Sequence, residues 1–322
     1  LTGSLNASAP GLLQTGALSI TGTTALNSGT STTTLANSGN VFTGAVSLTS
    51  GDATINSSTP LLLAASTLSG GLSATAPGIS QSGVLSIAGP SALNSDSSAI
   101  MLVNGGNAFG GAMSLTAGNA TLAANAPLTF GATTLTGSLN ASAPGLLQTG
   151  ALSVAGTTTL NSGTSTITLA NTGNVFTGAV SLIGGDATIS SSTPLLLAAS
   201  TLSGGLNATA SGISQSGVLS IAGPSALNSG SSAITLVNGG NAFGGAMSLT
   251  AGSATVAANA PLTFGASTLT GSLTASAPGL LQTGALSVAG TTALNSGSSA
   301  ITLVNGANVF GGAMSLTGGD AT

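Results

Sequence analysis

The chemistry available to this chain is narrow. Its ionisable side chains are four aspartates, Asp52, Asp96, Asp186 and Asp320, and it contains no Lys, Arg, His, Cys or Tyr. Asp52, Asp186 and Asp320 occupy equivalent places in a repeated sequence, where Asn119 and Ser253 stand in the intervening copies. Neighbouring members of this series are one long sequence period apart. In a coiled fold that is about six coils, or about 29 Å. A glycosidase pair needs carboxyls about 5–10 Å apart, so the series cannot supply one. Asp96 lies about two coils beyond Asp52, roughly 10 Å axially, and stacking on the same face is conceivable. However, Asp96 stands where the other copies have Gly29, Gly163, Gly230 and Gly297. Asp tolerates the left-handed turn conformation that such a glycine marks, so the expected role is a turn.

The remaining site readings are weaker. Gly184-Gly185-Asp186 faintly resembles a calcium-binding nonapeptide, but that pattern needs Asp at short intervals. A ladder of Thr for binding ice fails between copies, because Thr32-Thr33-Thr34 becomes Ala99-Ile100-Met101. Asn6-Ala-Ser, Asn56-Ser-Ser and Asn119-Ala-Thr match the glycosylation sequon at a frequency expected in so Asn- and Ser-rich a chain. No catalytic, cofactor-binding or metal-binding residue is therefore assigned, and no cofactor is expected. Without cations to neutralise phosphates, nucleic acid is excluded as a partner. General acid–base, thiol and Schiff-base chemistry lose their usual residues, and no enzyme activity is expected. No run of 18 apolar residues exists, so a transmembrane helix is excluded. No secretion signal is visible at Leu1.

What positions these residues is a repeat. The segment from Leu1 to Gly16 returns word for word from Leu135 to Gly150, a super-repeat with a period of 134. Residues 1–50 and 135–184 differ at seven positions. A weaker period halves this. The shorter unit spans 1–67, with further copies at 68–134, 135–201, 202–268 and an incomplete 269–322. Odd copies resemble one another, and even copies do likewise. Gln14, Gln81, Gln148, Gln215 and Gln282 form one fixed series; Asn40, Asn107, Asn174, Asn241 and Asn308 form another; Phe42, Phe109, Phe176, Phe243 and Phe310 form a third.

Abundant Gly (50 of 322 residues), Ser and Thr argue against helix. Ala17-Leu-Ser-Ile20 and Ala45-Val-Ser-Leu48 put large apolar residues at i and i+2, the period of a strand with one buried face. Turn sequences such as Asn-Ser-Gly and Ala-Pro-Gly separate these runs. Nine strand-like segments fall in copy one, around Leu5, Leu12, Leu18, Leu26, Leu35, Val46, Ile55, Leu62 and Leu68. Grouped in threes, they predict an all-β, parallel β-helix or β-solenoid, with about 22 residues per coil and three coils per repeat. The expected domain is one continuous solenoid over 1–322, of about 14 coils and about 70 Å. A disordered Gly/Ser linker, a sandwich and flat amyloid-like layers are the alternatives. The Phe series is expected at coil corners inside the core, with a sugar-stacking surface ring as the alternative.

The phrase Asn40-Val-Phe-Thr-Gly-Ala-Val-Ser-Leu48, followed by Gly51-Asp-Ala-Thr-Ile55, resembles the repeats of large bacterial filamentous-haemagglutinin-like and autotransporter adhesins. It returns as Asn107-Ala-Phe-Gly-Gly-Ala-Met-Ser-Leu115 and as Asn174-Val-Phe-Thr-Gly-Ala-Val-Ser-Leu182. The resemblance implies a right-handed β-helix shaft, extracellular and on the cell surface. Together these readings suggest a structural protein: the shaft of a fibre, filament, sheath or adhesin, self-assembling end to end or laterally. An adhesive module binding surface glycans is the alternative.

Overall fold

The computed structural model describes all residues, 1–322. The chain is all-β, a parallel β-solenoid without a helix, as expected. It contains two compact units, Leu1–Leu160 and Asn161–Thr322. Short strands form where apolar residues alternate with Ser or Thr. In Val46–Ser50 the side chains of Val46, Leu48 and Ser50 are buried, while Ser47 and Thr49 face outward. Expected strands are found at or within a residue of all nine positions. A further one, Val41–Phe42, was too short to show a period.

The coil length needs correction. In the first unit, one column of parallel pairings runs Leu5–Thr24, Thr24–Val46, Val46–Leu63, Leu61–Ile79, Ile79–Ile100, Ile100–Ala120 and Ala120–Leu139. In sequence number the successive steps are 19, 22, 17, 18, 21, 20 and 19, the strand Leu61–Leu63 being entered at Leu63 and left at Leu61. Seven turns thus carry Leu5 to Leu139, its counterpart two repeats on. The second column does the same from Leu12 to Leu146, with steps of 21, 20, 19, 19, 22, 17 and 18. These are the same steps, begun half-way through the series.

One repeat therefore advances the stack by three and a half turns, not three. Thr24–Asn27 lies in one sheet, and its counterpart Ser91–Asn94 lies in the other. The chain makes about 16 turns rather than 14. The second unit follows the same register: Ala187–Leu206, Leu206–Ser225, Ser225–Met247 and Met247–Phe264 step by 19, 19, 22 and 17. The reason for unequal coils is local. The long turn from Thr24 to Val46 carries the corner Asn37–Asn40 and the extra strand Val41–Phe42. The next turn has no such corner.

The interior is aliphatic. Phe42, Phe109, Phe176 and Phe243 are all buried, and Phe310 is half-buried, which places the series in the core rather than in a surface ring. Ile20 stacks on Phe42, and Ile87 on Phe109. At the corners the backbone of successive turns comes close. A Cβ at Gly44 would strike the carbonyl of Gly22, so only glycine fits there.

Candidate functional site

The aspartates do not converge. Asp52 begins the strand Ala53–Asn56, and register puts it over Gly71 and then Pro90. Asp96 lies six residues past Pro90. The four-residue strand Ser91–Asn94, about 13 Å long, separates them along the chain, so the stacking of Asp52 with Asp96 does not occur. The Oδ1 of Asp52 instead accepts the Gly71 N–H at 2.6 Å, and the Oδ1 of Asp186 accepts that of Gly205 at 2.6 Å. Asn119 Oδ1 takes the Ser138 N–H at 2.7 Å, and Ser253 Oγ the Ser272 N–H at 3.0 Å. The place needs a hydrogen-bond acceptor for the next turn, which explains why Asp, Asn and Ser interchange. Asp96 has φ 53°, beside 60° for Gly29 and Gly230 and 63° for Gly163 and Gly297. It is the turn residue its alignment predicted. Asp320 is exposed; its backbone carbonyl accepts the Ile301 N–H. No three of His, Cys, Asp or Glu come together as metal ligands.

The Gln and Asn series, two separate landmarks in sequence, are joined by the fold into one device. Gln81 and Asn107 exchange two amide hydrogen bonds of 2.8 Å. Asn107 is fully buried. Its Oδ1 also accepts the Leu85 N–H at 2.9 Å, and its Nδ2 donates to the carbonyls of Leu102 and Ala123 at 3.3 and 3.1 Å. Leu85, Leu102 and Ala123 belong to three consecutive turns. Gln14 and Asn40 repeat the arrangement, as do Gln215 with Asn241 and Gln282 with Asn308. The signal available in sequence was the constant spacing of Gln and Asn within every copy. Thr24, Ser91, Thr158, Ser225 and Thr292 recur once per repeat, and each buries a hydroxyl without a hydrogen-bond partner.

The outer faces carry the remaining polar groups. In the first unit a column of stacked residues runs Asn56, Thr75, Asn94, Thr116, Thr134 and Ser153. Beside it runs Thr34, Thr54, Ser73, Ala92 and Ser114, opening on Leu13. Stacking neighbours are set by turns and not by repeats, yet this column still lacks continuous Thr. A shallow groove of about 540 Å³ follows it, with Asp52 at one end. A counterpart of about 350 Å³ in the second unit includes Asp186, Thr188, Asn207, Ala226 and Ser248. Hydroxyls, amides and one carboxylate can donate and accept hydrogen bonds there. Of the sequon residues, Asn6 is exposed in mid-strand, Asn56 donates to the Ala36 carbonyl, and Asn119 is the acceptor already described. No helix is long and apolar enough to cross a membrane.

Among known families, one described as repeats of unknown function (DUF5649) matches residues 1–49, 50–116, 117–183, 184–250 and 251–317. Its period is that of the shorter unit, in a different phase from the copies defined above. No curated protein and no solved structure matches the chain.

Proposed function

We propose that this chain, which belongs to the DUF5649 repeat family, forms the shaft of an extracellular fibre, filament, sheath or adhesin on a cell surface. Its role in this reading is mechanical and protective, and it associates with copies of itself. The observation that carries the reading is the commensurate stack. Each repeat adds three and a half turns and each pair of repeats a whole number, so length grows by repetition without any new kind of contact. Parallel ladders and aliphatic columns hold the turns, so salt has no ion pairs to screen. Without Lys or Arg the chain offers no tryptic cleavage site. A net charge of −4 over 322 residues leaves little repulsion between copies.

Electron microscopy of native material tests this reading. Rods or filaments whose length scales with the number of repeats support it; compact particles overturn it. The ranked Asn and Thr column of the outer face favours a second reading, a glycan-binding surface. Retention of the chain on immobilised polysaccharide, lost when Thr75 and Thr116 are changed to Val, would support that reading.

A further inference from the structure

We propose that Asn104, Asn238 and Asn305 are self-modifying sites, at which the following glycine nitrogen cyclises onto the side chain and converts Asn to aspartate or isoaspartate. These are the three Asn–Gly sequences of the chain. Each lies in a corner turn with an identical arrangement. The side-chain Oδ1 accepts a backbone N–H two residues on, from Gly106, Gly240 and Ala307 respectively, at 2.9 Å in each case. The nitrogens of Gly105, Gly239 and Gly306 are not committed to any hydrogen bond. The space where a Cβ would sit on these glycines is open to at least 4 Å.

The chemistry follows from that geometry. The Gly105 nitrogen, on losing its proton to solvent hydroxide, attacks Cγ of Asn104 and forms a new C–N bond. Negative charge develops on Oδ1, where the Gly106 N–H already points; a donor aimed at a developing oxyanion lowers the barrier. The Cγ–Nδ2 bond then breaks and ammonia leaves with a proton from water. The resulting succinimide adds one water molecule at either carbonyl and opens to Asp or isoAsp. Each conversion adds one negative charge, so three conversions make the chain's net charge of −4 more negative by three. It also acts on the clamp, because the Asn104 N–H donates to Gln81 Oε1 at 3.3 Å and an isoaspartyl link lengthens the backbone there.

The repeats contain their own control. Asn37-Ser38-Gly39 and Asn171-Thr172-Gly173 make the same turn, with Oδ1 accepting from Gly39 and Gly173 at 2.9 and 2.8 Å. Their attacking nitrogens belong to residues with side chains, which crowd the approach. The test incubates the folded full-length chain at mildly alkaline pH and labels isoaspartate with an isoaspartyl methyltransferase. Sites are then located in thermolysin peptides by the mass gain of about 1 Da. The expected result is labelling at 104, 238 and 305 at least about tenfold faster than at 37 and 171, a barrier difference of about 1.4 kcal/mol. Gly105→Ser, which writes the turn of Asn37 into copy two, should slow labelling at 104 alone by at least about tenfold, to the rate at 37. Equal rates at Asn37 and Asn104, an unchanged rate at 104 in G105S, or labelling only after denaturation would overturn the proposal.

Discussion

Replacing Asn107 by Ala removes a side chain that ties three consecutive turns of the first unit together. The Leu85 N–H loses its acceptor, and the carbonyls of Leu102 and Ala123 lose a donor. Gln81 loses both bonds to its partner. A buried group left unsatisfied costs about 1–3 kcal/mol, and the effects on neighbouring groups are not additive. A local loss of about 3 kcal/mol is the working figure, equivalent to a factor of about 10² in opening. The assay is hydrogen exchange at the Leu85 amide, because global unfolding of a repeat stack is not two-state. Exchange at Leu85 should accelerate about a hundredfold in Asn107→Ala, while amides around Leu26, several turns away, stay protected. Asn107→Asp provides a second arm. It keeps the acceptor for Leu85, replaces two N–H donors by one O–H at most, and buries a carboxyl group, whose folded pKa must rise above its unfolded value. Such a variant is nearest the wild type below about pH 4 and loses stability as pH rises towards the raised folded value. Unchanged protection of Leu85 in both variants would refute the clamp as an energetic device.

Thr24→Val removes a hydroxyl that is buried without a partner between Leu5 and Val46, and keeps its shape. It should stabilise its surroundings by about 1 kcal/mol, seen as about fivefold slower hydrogen exchange at the residue-24 amide, which bonds the Ala45 carbonyl. Asp52→Asn should be nearly neutral, because Asn119 already fills the same role, whereas Asp52→Ala should cost about 1 kcal/mol and speed exchange at Gly71. Asp96→Gly relieves a positive φ of 53° and should stabilise its turn by about 1 kcal/mol, seen as slower exchange at the Ser98 amide, which closes that turn on the Ser95 carbonyl.

Much of the fold was legible because inward and outward residues alternate so regularly. Ala45-Val-Ser-Leu48 declares a strand, and Asn-Ser-Gly declares a turn. Asp96 was legible as a turn residue because four glycines share its place. Coil length was not legible, since equal division assumes equal coils. Register shows a short step from Val46 to Leu63 and a long one from Thr24 to Val46, set by which corners a turn contains. Equivalent residues of successive repeats lie in different sheets yet pair with equivalent partners, Leu5 with Thr24 and Leu72 with Ser91, so the half-turn offset leaves no trace in the pairing pattern of a single repeat. The Gln81–Asn107 clamp was invisible for a related reason. Its partners are distant in sequence and adjacent only once the turn length is known.

Three and a half turns per repeat is the claim on which the stacking, the clamp and the proposed shaft all depend. The chain has no cysteine, so spin labels can be placed at will. Labels at Asn6→Cys and Ser73→Cys, exposed equivalents in successive repeats, report it directly by dipolar spectroscopy. Opposite sheets, about 10 Å apart before the labels are added, predict a separation of about 30 Å. A narrow distribution at about 15 Å would put both labels on one face, three whole coils apart, and would contradict the account.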